Sequence, residues 1–274
     1  MISATTDDSR VSTSDAFGKL RKLPPFRTAA VRILAVSAED DDAMERLVGI
    51  FGSDPGMAAE LLTAANSAEF GFRSRIAGIR HAVSILGVGR TKSLAATIAV
   101  GGYLRTNLPS EAVRLLWDHS IATAVIAEHL AMQSGGSSSL LYTAGLTHDV
   151  GRLGLYASSR KTYEPLLNLE FSSIDELNYT ERKVLGVTHC EAGGFLTHTW
   201  GFPPILSECA QYHHVLPEGA SVESCIVKEA CLMADSMGFS EFHMQTEAAA
   251  GNAARVWEND PRFEKVQRRM QQFS

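Results

Sequence analysis

Histidine and aspartate side chains recur through the second half of this chain at positions that could surround a metal ion. Imidazole nitrogens and carboxylate oxygens are ligands that borderline-hard divalent cations bind well. A single His-Asp pair would carry little weight, but five such groups in order on predicted helices indicate a site. We expect either chemistry at that site or signalling by a domain built around its remains. The residues are His119, His148-Asp149, His189, His213-His214 and Asp235.

Two of these clusters are adjacent pairs, and adjacent side chains on an α-helix diverge by about 100°. His148 and Asp149 can still share one ion if the helix ends there and the backbone bends, which Gly151 favours. His213 and His214 have the same geometry, and each pair can instead serve two ions. Mixed His/Asp coordination suits Fe, Mn, Zn or Mg-type ions and leaves positions for water, whose lowered pKa lets it attack phosphorus.

The competing interpretation is that these histidines are ordinary core or surface groups. For any single histidine that interpretation is better, but burying several imidazoles among apolar helices without a ligand would be costly. We therefore favour a metal-competent site for the set. Cys190 follows His189 and could lie near the metal, although we favour a small buried residue there. We interpret the remaining histidines as ordinary core or surface residues, namely His81, His129, His198 and His243.

The composition limits the classes of function. The 274 residues are 45% hydrophobic and 20% charged, which is typical of a globular protein with one large or two smaller domains. A net charge of -6 and scattered basic residues argue against binding of nucleic acid backbones. No apolar run approaches the length of a membrane span, and the N-terminus lacks the apolar core of a signal peptide. The four cysteines form no CxxC pair, so we expect reduced thiols in the cytoplasm.

The spacing of apolar residues predicts helices nearly throughout and no convincing strand. Asp54-Pro55 is typical of an N-cap and first helical residue. A break at Gly87 to Gly89 gives Ile79 to Leu94 a superficial helix-turn-helix pattern, for which we favour a packing role. We expect a short apolar helix over Leu140 to Val150, broken by Gly151, and one helix over Thr180 to His198 that carries His189.

Many short motifs in order resemble the HDOD domain, over about Lys19 to Gly238. In the first half they are Leu23-Pro24-Pro25, Asp54-Pro55, Leu61-Leu62, Ala65-Asn66-Ser67, Phe70-Gly71, Ile79, Ala82 and Leu86-Gly87. In the second half they are Trp117, His119-Ser120, His148 through Leu153, Thr188-His189, Gly193, Trp200 through Pro203 and His213-His214. The HDOD family is related to the HD and HD-GYP metal-dependent phosphohydrolases and is commonly linked to bacterial signalling.

The resemblance implies an all-α fold, in which an N-terminal helical subdomain packs on an HD-like helical bundle. We predict a disordered arm at residues 1–18 and the N-terminal subdomain at 19–106. The HD-like subdomain would occupy 107–245, and a helical tail 246–274. Because no receiver-like or sensor-like segment precedes the domain, we expect any input to arrive from a separate chain.

The resemblance also implies roles for the metal-binding residues. By similarity to HD hydrolases, the core ligands would be His119, His148, Asp149 and Asp235. By similarity to the HD-GYP branch, the extra ligands would be His189, His213 and His214.

Three departures argue against the cyclic dinucleotide hydrolysis of the HD-GYP branch. Arg152 stands where that branch usually has Lys, and a guanidinium can hold phosphate but cannot donate a proton as Lys can. The stretch from Val215 to Ser221 has no Gly-Tyr-Pro motif, and Leu115 stands where a carboxylate is expected.

We therefore predict a cytoplasmic bacterial signalling module with a divalent metal site (Fe, Mn or Zn) and little or no catalysis. The expected partner is a protein of a signalling pathway or a small phosphorylated ligand, with no role for membrane or nucleic acid. The alternative is a metal-dependent phosphohydrolase acting on a nucleotide or phosphoester, in which Arg152 would steady the phosphate.

Overall fold

A computed structural model describes residues 11–67, 70–72, 75–107, 111–240, 243–244, 262 and 264–268. Within them the chain forms twelve α-helices, which confirms the all-α prediction. The first six are α1 (Thr13–Leu20), α2 (Thr28–Leu34), α3 (Ala43–Gly52), α4 (Pro55–Ala65), α5 (Ile79–Asn107) and α6 (Glu111–Ser134). The others are α7 (Ser138–Thr147), α8 (Val150–Tyr163), α9 (Ile174–Leu185), α10 (His189–Thr199), α11 (Pro204–Tyr212) and α12 (Val222–Ser236).

Short elements complete the fold. A 3₁₀ turn (Glu164–Asn168) follows α8, and β1 (Glu170–Phe171) pairs in parallel with β2 (His243–Met244). Helix α1 begins within the range expected to be a disordered arm, so residues 13–18 are helical instead, with Ala16 buried. The predicted tail at 246–274 lies outside the described residues, apart from 262 and 264–268, which are helical.

Two side chains of the N-terminal part form hydrogen bonds at the two ends of α4. Asp54 caps α4 as expected, accepting a hydrogen bond from Met57 N at 3.0 Å ahead of Pro55. Asn66 brackets the loop that follows α4, because its Nδ2 donates to Ile76 O (2.9 Å) and its Oδ1 accepts from Ile76 N (2.8 Å). The Asn66 motif of the sequence therefore has a structural role, which is to hold the loop that carries Phe70.

Helix α5 runs through the middle of the N-terminal part and bends at Gly87, where φ is 77°. Only glycine adopts this backbone conformation without strain, so the predicted break is a kink inside one long helix. Contrary to the sequence reading, this helix is long and apolar enough to cross a membrane by length and composition. However, 61% of its apolar window is buried within the protein, as in a core helix.

The break between α7 and α8 lies at His148 and Asp149 rather than at Gly151, which is helical. A Cβ added at Gly151 would overlap the carbonyl oxygen of His189 and lie 2.5 Å from Gly193 N. The role of Gly151 is therefore to let α8 and α10 touch backbone to backbone, and not to end a helix.

The single helix predicted over residues 180–198 is wrong, because it is two helices. Gly186 (φ 84°) ends α9 in the left-handed conformation. Thr188 then caps α10 through a capping box with Glu191, so His189 is the first residue of α10.

Candidate metal centre

The structure brings all seven predicted ligand residues into one cluster, hereafter the histidine cluster. The pair His148-Asp149 lies between α7 and α8, and the pair His213-His214 directly follows α11. The backbone bends at both places, so the two side chains of a pair can face the same ion. The inner members are almost fully buried: His119 is 1% exposed, His148 0%, Asp149 4%, His189 1% and His213 0%. At the margin, the Asp235 side chain is 35% exposed, and its Oδ1 lies 3.4 Å from His119 Nδ1. The other histidines are elsewhere: His129 faces Gln133, and His81 and His198 are exposed.

Four of the imidazoles are oriented in the same way. In each, Nδ1 faces an oxygen that can only accept a hydrogen bond, so Nδ1 carries a proton and Nε2 faces the cluster. A histidine that binds metal is normally held in this manner. The acceptors are Phe239 O for His119 (3.0 Å), Gly145 O for His148 (2.6 Å), Glu181 Oε2 for His189 (2.7 Å) and Ala210 O for His213 (3.1 Å).

One subsite lies between α6 and α12. His119 Nε2 and His148 Nε2 are 3.2 Å apart, and Cys231 Sγ is 3.6 Å from His119 Nε2. Two nitrogens bound to one tetrahedral zinc ion would be separated by about 3.3 Å. Because Nδ1 of each ring faces a backbone carbonyl oxygen, both Nε2 atoms can face a single cation. The spacing therefore fits a metal ion.

Asp149 lies between this subsite and a second one. Its Oδ2 is 3.5 Å from His148 Nε2 and 3.8 Å from His119 Nε2. Its Oδ1 is 3.4 Å from His213 Nε2 and 3.8 Å from His189 Nε2. Oδ1 is buried and has no hydrogen-bond partner within the described part of the chain. A carboxylate placed in this way can offer one oxygen to each of two ions.

The second subsite is formed by His189, Cys190, His213 and His214, whose donor atoms all lie within 4.8 Å of one another. Cys190 Sγ is 3.3 Å from His189 Nε2 and 3.9 Å from His213 Nε2. His214 Nε2 is buried without a hydrogen-bond partner among the residues described. Three nitrogens and one sulfur are a donor set that zinc accepts, so this subsite also fits a metal.

Two cysteines in these sets were not predicted as ligands. Cys190 directly follows His189, which indicated a ligand, but the sequence alone favoured a small buried residue at that position. Cys231 precedes Asp235 by four residues on α12, so both lie on one face of the helix, which was an unused signal.

A buried ion-pair network lies behind the second subsite. Glu181 is 0% exposed and accepts hydrogen bonds from His189 N (2.8 Å), His189 Nδ1 (2.7 Å) and the Tyr163 hydroxyl (3.1 Å). Arg152, 2% exposed, donates from Nε to Asp149 Oδ2 at 2.9 Å, and its Nη1 lies 3.6 Å from Glu181 Oε1. The guanidinium thus balances the charge of two buried carboxylates.

Protons compete with metal at this centre. Burial lowers the pKa of His148 well below its usual value, so this imidazole is neutral. Burial also opposes charging of His213, but Cys190 and Asp149 raise its pKa to about 10. Burial and Arg152 oppose charging of His189, but Cys190 and Glu181 raise its pKa to about 9. Both imidazoles are therefore positively charged at neutral pH, and a metal ion would have to displace one proton from each. Metal affinity would consequently fall as the solution becomes more acidic.

Replacement of Cys190 by serine tests the sulfur ligand directly. With the protein loaded with Co²⁺, we expect the thiolate-to-cobalt charge-transfer absorption to weaken in Cys190→Ser, because one of two thiolates is lost. Ultraviolet-visible spectra of the loaded proteins measure this. The exposed Cys225 gives the matched control, since Cys225→Ser leaves both subsites intact. Equal spectra for the two variants would contradict a role for Cys190 as a ligand.

Comparison with known proteins identifies a family whose model matches most of the chain. The HDOD domain model matches residues 23–216. An HDOD domain protein with unknown function from Geobacter sulfurreducens superposes with a TM-score of 0.70 at 23% identity, covering 94% of this chain and 89% of that one. A candidate phosphohydrolase from Shewanella amazonensis SB2B superposes with a TM-score of 0.67 at 19% identity, covering 97% of this chain and 100% of that one. At these identities the likeness establishes the fold alone.

One curated relative was also found in Treponema pallidum (strain Nichols), where it is an uncharacterized protein. It is 22% identical over 218 residues, which are 79% of this chain. The match spans 42% of the length of that relative, so this chain covers less than half of it.

Proposed function

This chain belongs to the HDOD domain family, and on that premise we propose that it is a regulatory output module built around a metal-binding HD-like centre, with little or no catalysis. Its regulatory partner would be a protein of a signalling pathway or a small phosphorylated ligand.

The observation that carries this proposal is the closed state of the histidine cluster. A catalytic metal keeps a coordination position open for water or substrate. Here the five inner ligand residues are 0–4% exposed, and the neighbouring cation, Arg152, is 2% exposed and engaged with Asp149. A phosphoester would have to displace packed helices to reach the metal, which supports a structural or regulatory centre over a catalytic one.

The metal itself is supported by the donor groups. His119, His148 and Cys231 would hold one ion, and His189, Cys190, His213 and His214 a second, with Asp149 between them. Asp235 would complete the first subsite at its exposed side. Iron, manganese and zinc all accept such ligands, and the two sulfurs favour zinc.

The alternative function, a metal-dependent phosphohydrolase, is favoured by one observation. All seven residues that resemble the HD and HD-GYP ligands are present and gathered, which a purely structural cluster would not require. A bound divalent ion would lower the pKa of a coordinated water and so supply a nucleophile. In this alternative Arg152 would exchange its bond with Asp149 for one with the substrate phosphate.

Elemental analysis of anaerobically purified protein tests the metal centre, and an assay of phosphoester turnover separates the two functions. We expect near-stoichiometric metal in the natural sequence and its loss in a His148→Ala, Asp149→Ala double variant, because these residues serve both subsites. His81→Ala is the matched control, since His81 is exposed and outside the cluster. Circular dichroism shows whether the double variant keeps its helices.

Two outcomes would overturn parts of the proposal. Absence of metal from the natural protein, also after anaerobic reconstitution, would contradict the metal centre. Turnover of phosphoesters at ordinary enzyme rates, abolished by His148→Ala, would contradict the regulatory assignment and establish the hydrolase.

A further inference from the structure

A cavity of about 640 Å³ lies where α5, α6 and α7 meet, and none of the predicted metal ligands lines it. Its volume is in the range of cavities that bind small molecules. The residues that matter to its chemistry are Phe70, Arg90, Ser93, Glu128 and Ser137–Ser139.

The N-terminus of α7 forms one wall of this cavity. The N-cap residue, Ser137, makes no side-chain capping bond, so the first backbone N–H groups of this ten-residue helix lack that partner. Such a helix end attracts anions, because the unbonded N–H groups and the helix dipole both carry positive partial charge. Gly89 of α5 lies close to it, since a Cβ at Gly89 would be 3.1 Å from Ser139 Oγ.

A buried hydroxyl group in the wall points independently to a ligand. Ser93 is 5% exposed, and its Oγ has no hydrogen-bond partner within the described structure. The same side chain also lines an inner extension of the cavity with Thr97 and Tyr142, whose hydroxyls bond each other at 2.9 Å. Leaving a buried hydroxyl unpaired is costly, so Ser93 is a group that a bound polar molecule would satisfy.

The charges around the cavity favour an anion. Arg90 is exposed and makes no ion pair with any described residue, so its guanidinium is available. The carboxylate in the wall, Glu128, is neutralised by Lys265 Nζ at 2.6 Å. A guanidinium and a helix N-terminus together are a preferred arrangement for phosphate.

One residue of the cavity lining suits an apolar group. Phe70 is half-buried there and stacks on Phe72 with ring centroids 5.9 Å apart. The Asn66 bracket described above holds the loop that carries it. The Asn66 and Phe70 motifs of the sequence, which the metal centre does not use, thereby contribute to this cavity.

We propose that this cavity binds a small phosphate-bearing molecule. Its phosphate lies between Arg90 and the N-terminus of α7, Ser93 bonds one of its polar atoms, and a ring or other apolar part lies against Phe70. The inference rests on the proposed regulatory function only for the biological role of such a ligand, since binding does not require the metal centre.

Titration calorimetry of the full chain tests the site, with inorganic phosphate and phenylphosphonate as probes. We expect phenylphosphonate to bind more tightly than phosphate, because its ring adds the contact with Phe70. Arg90→Gln should weaken its binding about tenfold through loss of a charged hydrogen bond. Ser93→Ala should weaken it by a smaller factor without lowering the melting temperature, because its Oγ makes no hydrogen bond with any described residue.

Two controls locate the binding. Arg105→Gln removes an exposed arginine from the far end of α5 and should leave the affinity unchanged. Removal of any bound metal by dialysis against a chelator, which is then dialysed away, should also leave it unchanged. The proposal is overturned if neither probe binds at millimolar concentration, if Arg90→Gln and Arg105→Gln behave alike, or if metal removal alone abolishes binding. Metal content measured in the same samples tests the proposed function separately, since a metal-free protein could still bind the probe at Arg90.

Discussion

Replacing Arg152 by methionine is expected to destabilise the metal-free protein by about 3–5 kcal/mol. The guanidinium is 2% exposed and lies between Asp149 and Glu181. Methionine fills much of the same volume but leaves two buried carboxylates without their cation, and removal of one partner from a buried pair is far more damaging than loss of the whole pair.

Addition of zinc or manganese should restore much of this loss. A divalent ion beside Asp149 supplies the positive charge that Arg152 provided, and a ligand that binds only the folded state stabilises it by mass action. Urea unfolding with and without metal measures both effects. We expect the metal-induced gain in unfolding free energy to be larger in Arg152→Met than in the natural protein.

Arg160→Met is the matched control. Arg160 lies on the same helix, α8, but its side chain is 55% exposed and pairs with the exposed Glu164. Surface pairs of this kind contribute little to stability, because solvent screens their charges. If the two variants lost similar stability, or if metal did not rescue Arg152→Met, the role of Arg152 as the balancing cation of the centre would be refuted.

The substitution Gly151→Ala is expected to cost about 3 kcal/mol or more and to lower the metal content. The added methyl would meet backbone atoms of His189 and Gly193, which cannot rotate away. Relief requires α8 and α10 to separate, and this moves His189 away from Asp149. Thermal unfolding and elemental analysis of the same sample measure the two consequences.

Gly154→Ala distinguishes this effect from a general intolerance of alanine on α8. Its Cβ would meet the ends of the Leu196 and Leu20 side chains, which can shift. The penalty is partly offset, because alanine favours a helix over glycine by about 1 kcal/mol. A Gly151→Ala protein as stable as Gly154→Ala would show that the close approach of α8 and α10 is not needed.

The sequence was sufficient to predict the all-α fold and the seven histidine and aspartate residues of the cluster. Helical periodicity and capping residues are local signals, and Asp54-Pro55 behaves as its local chemistry requires. The ligand residues were found because their spacing, and the family resemblance, are also properties of the sequence.

The supporting groups could not be predicted, because they depend on contacts between distant parts of the chain. Glu181 lies on α9, and nothing near it in sequence indicates that it would bond His189 eight residues later across a helix break. The break itself was not predicted, although Gly186 followed by Thr188 and Glu191 was a signal for a helix end and a new helix start. Gly151 was noticed but misinterpreted, since its close contact with α10 is a tertiary property.

The burial of the inner ligands also determines how quickly an ion can come and go. His148 and His213 are 0% exposed, so an ion must pass the half-exposed margin at Asp235 or Cys190 after shedding its water. Such passage needs a local opening of packed helices, which is far slower than exchange at a surface. An ion bound at this centre would then reflect which metal was available when the chain folded, and it would exchange slowly with metals that the protein met later.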